Sequence, residues 1–138
     1  MIKKTVLSLT AIILVLLVTT YIALEQSDVL IVETFDGALQ QPRYTHIWFV
    51  ENKGTIYLEA GHPQNPWIVD LANGHTLGIQ GANLDGWYAF NLDNSDEGHQ
   101  QIRTLMRAKY GWRDWWIGLL FDTSQSQLIT LAFTDQIT

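Results

Sequence analysis

The feature that most constrains this chain is an apolar segment near its N-terminus. Residues Thr5–Leu24 form a run of 20 uncharged and mostly apolar residues. Folded as a helix, such a run is about 30 Å long, which is enough to cross the hydrocarbon core of a membrane. We therefore expect one transmembrane helix over residues 1–24 and a separate domain over residues 25–138.

The residues at the C-terminal end of this segment indicate whether it is retained or cleaved. Lys3 and Lys4 before an apolar stretch are also typical of a secretory signal peptide that is later cleaved. Cleavage needs small residues in an A-x-A-like arrangement, but Tyr21 stands where a small residue should precede Ala23. The sequence favours a retained signal-anchor, and cleavage stays open as the alternative.

The basic residues around the segment predict its orientation. Lys3 and Lys4 lie before it, and no Lys or Arg follows it until Arg43. Because basic residues collect on the cytoplasmic side, we expect a single-pass protein of the cell membrane, N-in, with its domain outside the cytoplasm.

The composition of residues 25–138 excludes several classes of function. This part holds all 14 acidic residues against six basic ones, a net charge of −8, which is the wrong sign for a nucleic-acid binder. The sequence has no cysteine, so disulfides, thiolate metal sites and thiol nucleophiles are excluded. The four histidines are scattered along the chain, and no metal site is predicted.

Hydropathy patterns and turn residues predict six strands after the apolar segment. They cover residues 28–34, 44–52, 55–60, 75–80, 86–92 and 127–133. The turn sequence Asp36-Gly37 follows the first strand, and Asn52-Lys53-Gly54 joins the next two as a hairpin.

Capping signals predict two helices between these strands. Asn65 and Pro66 suit the start of a short helix, and Gly74 suits its left-handed end. Asn94, with Glu97 three residues later, resembles the capping box of a longer amphipathic helix.

A third helix is predicted over residues 112–121, just before the last strand. Its apolar stripe consists of Trp112, Trp115, Trp116, Leu119 and Leu120. Large aromatic residues supply buried area in small domains, so we expect the three tryptophans to dock on the barrel or to face the membrane. The order β-β-β-α-β-β-α-α-β lacks the alternation of a parallel sheet and predicts an α+β fold, a small antiparallel barrel with flanking helices.

Motifs that would carry catalysis are missing. The sequence contains no dinucleotide or P-loop glycine motif, no G-x-S-x-G and no H-E-x-x-H, so the catalytic residues are unknown. Trp67 follows the predicted helix start, where free backbone N–H groups suit an anion. Ligand contact and core packing are equally favoured for Trp67.

Residues 28–134 resemble a known superfamily. The resemblance is carried by ETFDGALQQPRYTHIWFVENKGTIYLEAGHPQNPWIVDL and by KYGWRDWWIGLLFDTSQS, with their DG turn, WFV and AG strand ends and YGW-x-x-x-W helix. In this order they resemble the split β-barrel flavin- and deazaflavin-dependent oxidoreductases. The likeness is greatest to the deazaflavin-dependent nitroreductase branch, and pyridoxamine-phosphate oxidases are more distantly similar.

The resemblance implies a split barrel that binds FMN or a deazaflavin coenzyme, often at the interface of a homodimer. The cofactor phosphate would lie near the strand-to-helix junction that begins at Glu59. The cofactor-binding residues that this implies are Arg43, His46, Trp48, Gly61, His62 and Trp67.

The chain departs from the superfamily where the phosphate would bind. The nitroreductase branch carries a basic G-R-K-S-G-like loop, and this chain has FDGALQQPR with Arg43 alone. Oxidase relatives place Thr, Ser and Lys along the junction, where this chain has Ala60, Gln64 and Trp67. Phosphate recognition is therefore weakened.

Three functions remain open from the sequence. The first is an oxidoreductase that transfers hydride or electrons to a small organic acceptor. The second is a non-catalytic module that binds a small aromatic or haem-like ligand, with His62 or His46 as an axial ligand. The third is a structural or partner-binding barrel.

Overall fold

Six strands and four helices make up the part of the chain that the computed structural model describes, residues 2–25, 29–72, 74 and 76–132. The helices are α1 (Ile2–Glu25), α2 (Pro66–Leu71), α3 (Asp96–Tyr110) and α4 (Trp112–Leu120). The strands are β1 (Val29–Asp36), β2 (Gln41–Asn52), β3 (Thr55–Ala60), β4 (Thr76–Gly81), β5 (Leu84–Asp93) and β6 (Gln127–Ala132).

The six strands close into one antiparallel barrel. Its strand order is β1-β2-β3-β6-β5-β4, and β4 pairs back onto β1. The predicted element order and the fold class, an α+β protein with a small antiparallel barrel, are confirmed. The predicted strand ends Asp28, His75 and Phe133 lie outside the described residues.

Alternating residues of the strands fill the barrel. In β3, Ile56, Leu58 and Ala60 point inward, while the residues between them are half-buried. Successive side chains of a strand lie on opposite faces, so this alternation separates the core from the outer surface. The interior cluster contains Leu30, Val32, Ile47, Phe49, Ile56, Leu58, Ala60, Trp67, Ile68, Leu71, Leu77, Ile79, Ile129 and Leu131.

Helix α3 covers the outside of the barrel with its apolar face. Ile102, Met106 and Tyr110 are buried there against Val50 and Leu128. The expected cap at Asn94 is wrong by one residue, because Ser95 accepts the Gly98 amide at its Oγ.

The turns around β1 and α2 differ from the predicted ones in two details. Strand β2 begins at Gln41, three residues before the predicted start, because Asp36 pairs with Gln41 across the turn. Gln40, with φ of 54°, takes the left-handed conformation in that turn. The left-handed end predicted at Gly74 is wrong, since α2 ends at Ala72 in right-handed geometry.

Helix α4 has its tryptophans on the outside. Trp112 is 54% exposed and Trp115 is 60% exposed, so the expected docking of these two residues on the barrel is wrong. The buried residue of α4 is Asp114, which binds Arg103 of α3. This ion pair holds the side of α4 that carries Asp114 against α3, and the apolar side of the helix is exposed. Trp116 is half-buried and donates a hydrogen bond to Thr20 of α1.

Candidate functional site

A cleft of about 460 Å³ lies between the outer face of β2, the end of β3 and helix α4, and we call it the α4 cleft. It contains four of the six residues expected to bind a cofactor: His46, Trp48, Gly61 and His62. The other lining residues are Leu24, Val29, Ile47, Glu59, Asn65, Ile117, Phe121, Asp122 and Thr123.

Strand alternation brings His46 and Trp48 to this cleft. The intervening Ile47 is mostly buried in the barrel core, so its two neighbours project to the outer face of β2. Gly61 and His62 follow directly after β3, which is the neighbour of β2 in the sheet. The Asn65 amide donates to the His62 carbonyl at 3.0 Å, and this bond closes the loop before α2.

An aromatic stack fixes the wall of the α4 cleft. The rings of Trp48 and Tyr110 are stacked, with centroids 4.2 Å apart and planes 15° from parallel. Tyr110 Oη donates to the Phe49 carbonyl at 2.9 Å and lies 3.1 Å from the Phe49 amide, which donates to it. These bonds join α3 to β2 and hold the Tyr110 ring against Trp48. Phe121, which is 57% exposed, lines the cleft from the end of α4.

The charged groups in the α4 cleft are mainly acidic. Arg103 Nη1 holds Glu59 Oε1 at 2.7 Å. Hydrogen bonds from the Ser124 hydroxyl and amide, with a smaller contribution from His62, outweigh burial and hold the pKa of Asp122 below its ordinary value. Among the described residues, no Lys or Arg lines the cleft. The electrostatic environment therefore disfavours an anion.

His62 supplies the polar contact best suited to a ligand. Its Nδ1 accepts the Gln64 amide at 3.1 Å, which leaves Nε2 available as a donor in the neutral ring. Within the described ranges, no group of three or more His, Cys, Asp or Glu could hold a metal ion.

Arg43 lies in a different cleft, beside β1 and α2, which we call the β1 cleft and whose volume is about 740 Å³. Its guanidinium bridges Asp36 and Asp70, with Nε 2.8 Å from Asp70 Oδ2. Thr34 Oγ1 donates to the same Asp70 oxygen at 2.9 Å. The hydrogen bond to Asp70 and both carboxylate charges outweigh burial and raise the pKa of Arg43. Arg43 is thus neutralised by two acids, and the structure does not bring it to the α4 cleft.

Trp67 is also separate from the α4 cleft. Its side chain is 4% exposed and belongs to the barrel core with Ile68 and Leu71. Of the two roles that the sequence left open for Trp67, the structure supports packing.

Sequence reasoning missed the residues that α1 and α4 contribute to the cleft. Leu24, Ile117, Phe121 and Asp122 line it from segments far from β2 in the chain. Their spacing carries no signal for this, because only the packing of α4 against α1 places them together.

Known proteins with a similar fold support the sequence resemblance. No protein-family model matches the sequence, and no curated protein matches it by sequence. Among solved structures, one similar protein is an F420-H2 dependent reductase (16% identity, TM-score 0.52, covering 75% of this chain and 93% of that one). Another is a Listeria innocua protein assigned as a pyridoxamine 5′-phosphate oxidase (17% identity, TM-score 0.52, covering 80% and 86%).

A third similar structure is a Bacteroides thetaiotaomicron protein assigned to 5-nitroimidazole antibiotic resistance (14% identity, TM-score 0.57, covering 80% of this chain and 75% of that one). At such identities the likeness is one of fold. The chain therefore shares with these three proteins a fold built on a closed six-stranded antiparallel barrel.

Proposed function

We propose that this chain is a membrane-anchored protein that binds a flat aromatic ligand of the flavin or deazaflavin class in the α4 cleft. The observation that carries the proposal is that His46, Trp48, Gly61 and His62, expected from sequence, line one cleft with aromatic walls. Its volume of about 460 Å³ is typical of sites for small organic ligands.

The residues of the α4 cleft fit the ring of such a cofactor but not its phosphate. Trp48, Ile117 and Phe121 provide apolar and aromatic surface, and His62 Nε2 can donate to a ring carbonyl. A phosphate would instead meet the carboxylate of Asp122, without an Arg or Lys among the described lining residues, and the charge of Glu59 is already paired with Arg103. We therefore propose recognition through the ring. A bound flavin or deazaflavin would supply hydride or electron transfer to a small organic acceptor.

The test is a titration of the purified full chain in detergent, followed by ligand fluorescence. Riboflavin should bind at least as tightly as FMN, because the phosphate gains no cationic partner in the cleft. Phe121→Ala should weaken binding, and Leu39→Ala is its control, since Leu39 is similarly exposed (65%, against 57% for Phe121) but lines neither the α4 cleft nor the β1 cleft. A deazaflavin coenzyme is titrated in parallel.

Three outcomes would count against this proposal. Much tighter binding of FMN than of riboflavin would show a phosphate site elsewhere. Equal losses in Phe121→Ala and Leu39→Ala would place the ligand outside the α4 cleft. No binding of any of these ligands would favour a structural barrel.

A haem-like ligand is the second candidate, because His46 and His62 both line the α4 cleft. Either imidazole could then act as an axial ligand. A Soret band in the purified protein that is lost in His62→Ala or His46→Ala would support this function over the flavin one.

The proposed anchor is α1, which contains one span long and apolar enough to cross a membrane, with 6% of it buried inside the protein. Leu7, Leu14 and Leu17 are each at least 60% exposed, an arrangement that suits lipid and not water.

We propose that the anchor is retained, N-in, with the barrel outside the cytoplasm. A mature N-terminus at Leu24 or beyond would contradict retention. A barrel that resists protease in spheroplasts but is degraded after permeabilisation would contradict the orientation.

We also propose a homodimer. Phe35, Val69 and Trp87 are each more than half exposed and surround the β1 cleft, where a second copy would cover them. The mass of the protein in detergent, measured by light scattering for the parent chain and for Trp87→Ser, tests this. A monomer in both samples would refute it.

A further inference from the structure

Helix α4 turns its charged side chains toward the protein and exposes its apolar ones, which is the reverse of a helix that faces water. Its charged residues lie toward the protein: Asp114 is buried, and the Arg113 guanidinium lies 5.3 Å from the centre of the Tyr110 ring. Its exposed large side chains are apolar, and they continue into the residue after the helix. We call this set the α4 outer face: Trp112, Trp115, Leu119, Leu120 and Phe121.

An apolar surface of this kind is uncommon on the exposed side of a helix. Water-facing helices expose charged residues and turn a hydrophobic stripe to the core. Five neighbouring exposed residues of this size, two of them tryptophans, mark a surface that is covered in the working protein. Tryptophan at such a place is typical of the boundary between lipid and water.

Direct packing connects α4 to the proposed membrane anchor. Trp116 Nε1 donates to Thr20 Oγ1 of α1 at 3.1 Å, and Ala23 of α1 is fully buried. Thr20 lies four residues before Leu24, which corresponds to about 6 Å along a helix. Helix α4 is therefore level with the last turns of the apolar segment, and with α1 embedded in a bilayer this is the depth at which interfacial helices lie.

The connection between α1 and the barrel is short. Three residues separate Glu25 from the first residue of β1, Val29, so the start of the barrel must lie within about 14 Å of the helix end. The barrel cannot move far from the bilayer if α1 is embedded in it.

We propose that the α4 outer face inserts into the headgroup region of the bilayer and forms a second membrane contact beside α1. This inference rests on the proposed anchoring by α1. The occupant is lipid, because the face is continuous with the membrane-spanning helix and its exposed side chains are uncharged. It also places the α4 cleft at the membrane surface, since Leu24 and Phe121 line that cleft.

The chain has no cysteine, so single cysteines can be labelled without background. Leu119→Cys in the full chain is labelled with nitrobenzoxadiazole and reconstituted into phosphatidylcholine vesicles that carry a nitroxide near the top of the acyl chain. We expect a blue-shifted emission and loss of at least half of it to the nitroxide. Trp115→Cys is a second probe of the same face.

Two further variants separate the possible failures. Leu39→Cys is the matched control, because Leu39 is as exposed as Leu119 but lies beyond the far end of β1, about 25 Å along the strand from Val29. It should remain unquenched. Leu14→Cys reports the anchor itself and should be quenched by nitroxides placed deep in the acyl chains.

The outcomes distinguish this inference from the proposed function. If Leu14→Cys is unquenched, the anchor itself fails, and the inference fails with it. If Leu14→Cys is quenched but Leu119→Cys and Trp115→Cys match Leu39→Cys, the anchor stands and the α4 contact is refuted. A blue-shifted Leu119→Cys probe that lipid does not quench would show a protein partner or a second copy on this face, and would also refute it.

Discussion

Replacing Arg103 by methionine removes the cation that joins α3, α4 and the barrel. Its Nη2 contacts both carboxylate oxygens of Asp114 at 2.6 and 2.8 Å, and its Nη1 contacts Glu59 at 2.7 Å. Burial opposes the charge of Arg103, but the two carboxylates outweigh burial and raise its pKa. The guanidinium is therefore a fixed charge at the centre of this contact.

The expected loss follows from the burial of Asp114. This side chain is 1% exposed, and Arg103 is 14% exposed. Removal of one partner from a buried ion pair typically costs about 3–5 kcal/mol, because the other charge is left without compensation. Arg107, with Nε 3.7 Å from Asp114, remains as a weak partner. We therefore expect Arg103→Met to lower the free energy of unfolding by about 3 kcal/mol.

The assay is guanidinium unfolding of the full chain in a mild detergent, followed by near-ultraviolet circular dichroism of the tryptophans. Arg107→Met is the matched control: it faces the same carboxylate, but its side chain is 72% exposed, so its loss should be at most about 1 kcal/mol. In Arg103→Met, a second change of Asp114→Leu should restore part of the stability, since it removes the more deeply buried of the two carboxylates that Arg103 held. Equal losses in the two Arg variants would refute the reasoning.

Three other predictions concern local features of the barrel and helices. Backbone amides of Leu39 and Ala38, together with Arg43, outweigh burial and hold the pKa of Asp36 below its ordinary value of 3.8. The carboxylate should thus stabilise the fold above that pH and lose this effect as pH falls through the lowered value, so the melting temperatures of wild type and Asp36→Asn should converge in acid. A gap that stays constant with pH would contradict this. Gly98→Ala should destabilise by about 1 kcal/mol, because a Cβ there would lie 2.6 Å from the Asp93 carboxyl carbon and would displace the side chain that accepts the Ser95 amide. Gly118→Ala, whose Cβ meets nothing within 4 Å in the exposed part of α4, should stabilise by about 0.5–1 kcal/mol, and thermal melts that reverse this order would refute both. Tyr110→Phe should cost about 1–3 kcal/mol in chemical unfolding, since it leaves the buried Phe49 amide without its acceptor, and an unchanged midpoint would refute that.

Local sequence signals were sufficient for the element order. The alternation in 55–60, the apolar length of 5–24 and the turn residues at Asp36 and Asn52 depend on neighbours in the chain, and these elements formed as predicted. The helix caps predicted at Gly74 and Asn94 are wrong because local signals do not identify the capping residue uniquely. Several residues near a helix end can cap it, and packing selects among them.

Part of the candidate site was also predictable. His46 and Trp48 share a strand face by their spacing, and Gly61 and His62 lie at the end of the neighbouring strand. The resemblance placed Arg43 and Trp67 with them. The fold separates them, because Asp36 and Asp70 bind Arg43 and because Trp67 fills the barrel core.

By itself, the sequence determined the apolar span, the six strands and the excess of acidic charge. Only the tertiary structure decided which face of α4 is exposed. An apolar stripe such as Trp112, Trp115 and Leu119 predicts a buried surface by hydropathy alone. In the folded chain, the pairing of Asp114 with Arg103 turns the opposite face inward. A buried carboxylate must have a charged partner, and that partner lies on another helix, so no local pattern could predict the orientation of α4.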